Sequence, residues 1–511
     1  MDIAPSIDSL LSPQAIRDDF DCLIRHVSML CPARQLNRQV FRFDLLQKLD
    51  QHGSLLKSPT SRYDFFLSVC RALEACKANH LATFDLYPYR AEELVQTVLK
   101  GDEDALEMSH RYWNRLRENA SPTPAFHLFY HRGDYYTKFD FTYQGKTYAS
   151  GLKLLSIDHR PVGDIVAANQ DSLLKFDFSA RTFYGGSNYR MIGDQFYLLE
   201  EEAFDRNPVF TFSDQENREC RFRYEDVKRN AVWHLPEMVS SQPTVEYFER
   251  ERCLFLKIPA MSVSDREFYL AEMEKCREKQ IDLVIFDIRG NGGGSDLLWQ
   301  PILQNLCAKT LEWEEELAIL DNPAAVEAEF KYRTFYEELP DGLAWKIVED
   351  NRIKRIPFLN NQQFRVKRIR KTMEPSSRSL KLNVPFFILA ENIYSSAGNF
   401  VALARHFDFL TSIGPRNPIS LGEIPDPFFF VLPHSKIVIS VEISLDISHV
   451  RTAEDILHSE MEVNVEPSFS ERLHFFKSNH YACEQDGERK LNCDDPFIKK
   501  ALQLYRRSCA K

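Results

Sequence analysis

The sequence predicts an α/β protein in which a helical N-terminal region and a β-rich middle precede the α/β part. Three observations carry this. Two stretches, Ile281–Ser295 and Val384–Phe407, each run from a short apolar segment through a turn of small residues into a helical pattern. Strands that alternate with helices need crossover connections, which implies a partly parallel, buried sheet. Residues 10–125 keep helical spacing, whereas 126–235 alternate and are rich in aromatic side chains.

Taken in order, Ser12-Pro13 supplies an N-cap and a first-turn proline. Ile16, Phe20, Leu23, Ile24, Val27 and Leu30 follow at helical spacing. A second helix is expected from about Ser61 to Lys77, with Phe65, Phe66, Val69 and Leu73 on one face. A third covers about Ala91–Glu118. Turn signals at Arg132-Gly133-Asp134, Gln144-Gly145 and Gly185-Gly186 punctuate the β-rich middle. From Glu246 a strand at Cys253–Ile258 is followed by Ser264-Asp265-Arg266-Glu267, which reads as a capping box. A buried strand at Leu283–Ile288 then leads through Gly292-Gly293-Gly294 into a helix from Asp296 to Cys307. Residues 310–380 read as a charged, irregular, solvated excursion. The second strand-to-helix unit follows, with the strand at Val384–Ala390 and a helix from Ser396 to Phe407. A hairpin of Phe428–Leu432 with Ile437–Ser444 and a helical tail complete the chain. The expected domains are 1–125, 126–245, 246–470 and 471–511.

Composition narrows the function classes. The 511 residues carry a formal charge of −11, which argues against general nucleic-acid or anionic-membrane binding. No stretch approaches 18 apolar residues, and Met1-Asp2-Ile3-Ala4-Pro5 lacks the features of a signal peptide. Eleven cysteines, an odd number without C-x-x-C pairs, fit reduced thiols. The expectation is a cytoplasmic protein with no metal and no cofactor. Its partner would be a protein or peptide substrate, with no nucleic acid or membrane involved.

The two turns carry the chemistry. Consecutive glycines let the backbone approach a ligand and aim N–H groups at it. A serine at a helix N-terminus sits where backbone donors and the macrodipole favour negative charge, which suits a nucleophile. Either turn alone reads equally well as a plain chain reversal, and Ser395-Ser396 as an N-cap.

Together, in this order and about a hundred residues apart, they resemble the S41 serine peptidases. These are the C-terminal processing or tail-specific proteases and their tricorn-core relatives. The residues are Asp287-Ile288-Arg289-Gly290-Asn291-Gly292-Gly293-Gly294 and Asn392-Ile393-Tyr394-Ser395-Ser396-Ala397-Gly398-Asn399. Ile413-Gly414-Pro415, Leu421-Gly422-Glu423 and Leu432-Pro433-His434-Ser435 look like further landmarks of the family. Gly151–Val162 resembles a segment common in it. The resemblance implies a ClpP/crotonase-like ββα superhelix and a serine endopeptidase. Ser396 stands at the family's nucleophile. Ala397 with Gly292 or Gly293 stands at its oxyanion hole, and Asp287 and Arg289 would shape the glycine turn.

The base departs from the processing proteases. Gly414–Ile424 contains no lysine where a Ser–Lys dyad would have one, and Lys436 falls in a hairpin turn. Tricorn-like members use an N-terminal histidine, and His80 resembles it. His26 and His406 are weaker candidates. A free imidazole near pKa 6.5 gives activity rising between about pH 6 and 8. Glu423 is the favoured orienting carboxylate and Glu462 the alternative. Asn399 stands where the family has glutamate, which keeps open an inactive, peptide- or partner-binding S41-like protein. A crotonase-like acyl-CoA enzyme is a third reading, disfavoured by the placed serine and the lack of a basic cluster for CoA phosphates.

Overall fold

The computed structural model describes residues 5–78, 80–87, 102–119, 125–177, 180–186, 207–236, 242–333, 341–415, 428–457, 461–478, 481–485 and 487–509. Helix α1 (Pro13–Leu30) starts as its sequence dictates. The Ser12 side chain accepts the Ala15 N–H, and Pro13 needs no partner for a missing donor. Helix α2 (Arg62–Ala75) is capped by Ser61 in the same way. The described part of the expected third helix spans Glu103–Asn119. Residues 91–101 of that expectation lie outside the described residues.

The middle of the chain is an antiparallel sheet of Glu219–Arg223, Val209–Ser213, Lys153–Ile157, Asp134–Thr137 and Leu128–His131, in that spatial order. Phe126, Phe141, Phe210, Phe212 and Phe222 form its core. Gly185-Gly186 end the strand Thr182–Gly186.

The α/β part holds one six-stranded sheet whose spatial order follows the chain. Strand β1 (Thr244–Phe248) pairs antiparallel with β2 (Cys253–Lys257). After helix α3 (Arg266–Glu274), β3 (Leu283–Asp287) adds in parallel. Helix α4 (Asp296–Leu306) and a long excursion precede β4 (Phe386–Leu389), again parallel. Helix α5 (Ser396–Leu403) leads to β5 (Leu410–Gly414), and β6 (Val463–Asn464) closes the sheet. The strands are apolar on both faces because both are covered. Leu254, Val284, Phe286 and Ile388 meet α3, α4 and α5 through Met273, Leu298 and Phe400. Phe255, Ile285 and Phe387 face Phe497, Ile498 and Leu502 of α6 (Pro496–Cys509).

Three expectations need correction. Residues 310–380 are not irregular. Leu311–Leu320, Leu343–Ile356 and Gln362–Met373 form a long antiparallel sheet completed by Ser444–Asp446. The charges that suggested a solvated loop are cross-strand partners, such as Glu314 with Arg370 at 2.7 Å and Glu315 with Lys371 at 2.7 Å. The capping box does not form either, because Val263–Asp265 is a 3-10 turn and α3 has no side-chain cap. The C-terminal segment includes a hairpin, Ala482–Gln485 with Glu488–Leu491, between its two helices.

The N-terminal helices share a core with the hairpin Phe428–Val431/Val438–Val441 through Leu23, Val69, Ile439 and Val441. The two-residue strand Ala82–Thr83 adds to that hairpin, with Thr83 opposite Ile439. This pairing carries the chain just after α2 toward the α/β part.

Candidate active site

The two turns emerge side by side because their strands are neighbours. Asp287 of β3 lies opposite Leu389 of β4. The pairing continues past both strand ends. The Ile288 N–H donates to Leu389 O at 3.0 Å, Gly290 N–H to Glu391 O at 2.8 Å, and Tyr394 N–H to Asn291 O at 3.0 Å. Asn291, fully buried, locks the glycine turn from inside. Its amide donates to Ile258 O at 2.8 Å, and its side-chain oxygen accepts the Gly293 N–H at 2.8 Å.

Arg289 fixes the base of the turn. It donates twice to Asp287, at 2.6 and 2.8 Å, and once to Asp495 at 2.6 Å, with both carboxylates buried and the guanidinium nearly so. Burial opposes charge on Asp287, yet the guanidinium holds its carboxyl below the usual range. Asp495 also accepts the Phe497 and Ile498 N–H groups at the start of α6. The turn, the sheet and the C-terminal helix are therefore joined through one cation.

Gly293 has φ +94°, and a Cβ added there would lie 2.6 Å from the Ser395 Cβ and 2.7 Å from Tyr394 O. The glycine turn thus touches the serine turn. Ser395 is itself strained, with φ 54° and ψ −128°, and makes no side-chain cap to α5. Its hydroxyl has no partner among the described residues. Ser396, the first residue of α5, is 3% exposed. Its hydroxyl donates to Asp296 Oδ1 at 2.6 Å. Of the expected oxyanion donors, the Ala397 N–H reaches Tyr394 O at 3.2 Å and the Gly293 N–H is held by Asn291. The Gly292 N–H has no partner among the described residues.

His80 is brought to the same neighbourhood across more than three hundred residues of sequence. Its ring lies 5.1 Å from that of Tyr394, two residues before Ser396. Its main chain is fixed at both ends. The N–H donates to Glu442 Oε2 at 2.9 Å, and its carbonyl accepts the Ser440 hydroxyl at 2.7 Å. Glu442 is a carboxylate that the sequence reading missed. It is fully buried, and burial pushes its carboxyl up to about 7, against the His80 N–H, which favours the ionised form. The available signal was one glutamate inside the apolar run Ile437–Ile447.

The remaining described candidates have partners of their own. Glu423 lies outside the described residues. Glu462 accepts the Ser412 N–H at 2.9 Å and also its hydroxyl, which ties it to β5. Lys436 pairs with Asp102 at 2.9 Å. His26 stacks on Phe430 and bonds the Cys22 carbonyl, while His406, pushed down to about 4 by burial, lies beside His449. Among the described residues no group of three or more His, Cys, Asp or Glu side chains could hold a metal ion, and no helix is long and apolar enough to cross a membrane.

No family model matches the chain, and no curated protein does. Solved structures do. Mature CPAF complexed with lactacystin is 13% identical, with a TM-score of 0.56 over 97% of this chain and 98% of that one. A serine-to-alanine variant of CPAF is 12% identical, with a TM-score of 0.54 over 92% and 96%. A putative S41 protease from Bacteroides fragilis NCTC 9343 matches at 10% identity and a TM-score of 0.33, over 75% and 83%. Along almost its whole length, the chain shares the fold of mature CPAF.

Proposed function

We propose that the chain is a serine endopeptidase with Ser396 as nucleophile and His80 as general base. The observation that carries this reading is the contact of the glycine turn with the serine turn at the ends of adjacent parallel strands. A scissile carbonyl held there would lie among backbone N–H groups. The Ser396 oxygen would attack the carbonyl carbon while His80 takes the hydroxyl proton. The carbonyl oxygen, now negative, would accept N–H groups of Gly292 or Gly293 and of Ala397. One such donor contributes on the order of 3–4 kcal/mol. Of these, Gly292 is the one whose N–H has no partner among the described residues, and the long Ala397 bond is the easier of the other two to exchange. The imidazolium would then protonate the leaving amine, and water would release the acyl group by the same steps in reverse order. Glu442 fixes the main chain of His80. The carboxylate that orients its ring is assigned to Glu423, with Glu462 as the alternative.

The test is cleavage of a peptide library beside labelling by a fluorophosphonate, for the wild type, Ser396→Ala, Ser395→Ala and His80→Ala. Labelling and cleavage lost in Ser396→Ala and kept in Ser395→Ala support the assignment, and the reverse pattern moves the nucleophile to Ser395. Lactacystin, bound by mature CPAF, is a second probe. A non-catalytic, peptide-binding reading is favoured by Asn399 in place of glutamate and by the engaged Ser396 hydroxyl. It requires that no serine be labelled.

A further inference from the structure

We infer that Asp296 is a latch on the nucleophile, holding Ser396 in a resting rotamer that must be released before attack. The inference rests on Ser396 being the nucleophile. A serine hydroxyl has a single proton to donate. Here it goes to Asp296 Oδ1 at 2.6 Å, the short length of a charge-assisted bond. A hydroxyl committed in this way cannot also donate to an imidazole, so His80 can receive the proton only after rotation about the Ser396 Cα–Cβ bond.

Asp296 is built to be an acceptor held in one place. The Trp299 indole donates to Oδ1 at 2.9 Å, and the Asn399 amide bridges both oxygens at 3.2 and 3.1 Å. The carboxylate also sits in the first turn of α4, where the macrodipole favours negative charge. With both oxygens engaged by these two donors, the carboxylate keeps one orientation toward the serine hydroxyl, which is the geometry of a latch. The clamp is rigid, since Trp299 stacks on Phe400 of α5 at 5.3 Å. Asn399, one turn beyond Ser396 on the same helix, holds the carboxylate at the place where it meets the hydroxyl. A substrate or conformational change that frees the hydroxyl would raise the reactive fraction, and apparent reactivity scales with that fraction.

The experiment measures the second-order rate of fluorophosphonate labelling for the full chain and for Asp296→Ala, Asp296→Asn and Asn399→Ala, with thermal unfolding alongside. The expected result is labelling about tenfold faster in Asp296→Ala, the factor for about 1.4 kcal/mol of lost restraint. Asp296→Asn, which keeps the shape and loses the charge, is expected between it and the wild type. Ser396→Ala must remain unlabelled. Faster labelling counts for the latch only where thermal unfolding is unchanged, since loosening would also expose the buried Ser396, and the isosteric Asp296→Asn decides the matter if Asp296→Ala unfolds. Slower labelling in Asp296→Asn makes Asp296 a base and overturns the latch, while Ser396 stands as nucleophile. An unchanged rate overturns the latch equally. No labelling of any variant removes the nucleophile itself, and the latch with it.

Discussion

Replacing Gly293 by alanine tests the contact on which the proposed site depends. The new Cβ would start 2.6 Å from the Ser395 Cβ, 2.7 Å from Tyr394 O and 3.2 Å from Ser396 N. Restoring an ordinary contact of 3.4 Å requires the two turns to part by about 0.8 Å. The φ of +94° adds strain of about 1–2 kcal/mol for any residue with a side chain. Escape to negative φ would break the Gly293 N–H bond to Asn291 and the Met261 N–H bond to Gly293 O. The expected cost in stability is about 2–4 kcal/mol, read from urea unfolding. A displacement near 1 Å costs roughly a hundredfold in turnover, about 2.7 kcal/mol of barrier. Gly292→Ala is the internal control. Nothing lies within 4 Å of a Cβ there, and its φ is outside the left-handed region. It should keep its fold and close to full activity, since the N–H remains. Wild-type cleavage by Gly293→Ala, or an equal loss in Gly292→Ala, would refute the reasoning.

Other outcomes follow from the same geometry. Ser396→Ala should abolish cleavage while changing stability by only about 1–2 kcal/mol, the worth of one charge-assisted bond; a larger loss would mean that the residue is structural. His80→Ala should lower kcat by roughly 10²–10⁴-fold with little change in melting, because its main-chain bonds survive; full activity would remove it as base. Arg289→Ala leaves Asp287 and Asp495 facing each other without their cation and should cost about 3–5 kcal/mol in denaturant unfolding, and a loss under about 1 kcal/mol would contradict the buried clamp. The Glu442 contribution to stability should also fall as pH rises from about 4.5 to 7, against the opposite slope of the depressed His406 and His127. The folded state raises the Glu442 carboxyl to about 7, so the stability its neutral form contributes is complete below the unfolded pKa and is lost as pH climbs through the folded one. The loss is about 1.4 kcal/mol per unit, about 3 kcal/mol in all. Glu442→Gln should remove that contribution, so its stability relative to the wild type should rise over this range, with Asp446, also pushed to about 7, and the two histidines common to both; an unchanged difference would show that Glu442 does not titrate there.

Much of this was legible from residue order because it is local. A helix start such as Ser12-Pro13 needs only a side-chain oxygen and a proline where a donor is dispensable. The strand Leu283–Asp287 and the glycines after it declare themselves by branched apolar residues followed by backbone freedom. Adjacent strands of one parallel sheet then bring both turns to one edge. What failed was reading charge as irregular backbone. Along Leu311–Leu320 and Gln362–Met373 the charges neutralise one another only once the strands pair, and pairing is not a property of either segment.

The sequence by itself determined the α/β class and the two turns, which rest on spacing and residue type within a short window, and it named Ser396 and His80 as candidates through the resemblance of their surroundings to the S41 peptidases. Only the tertiary structure decided what surrounds them. Asp296 lies a hundred residues before Ser396 and looked like the first residue of a helix, yet it accepts the hydrogen bond of the serine hydroxyl. Glu442 looked like one more strand residue, yet it is buried against the His80 main chain. A partner across a fold depends on which strands become neighbours, and that follows from packing the whole chain at once, not from any one stretch of it.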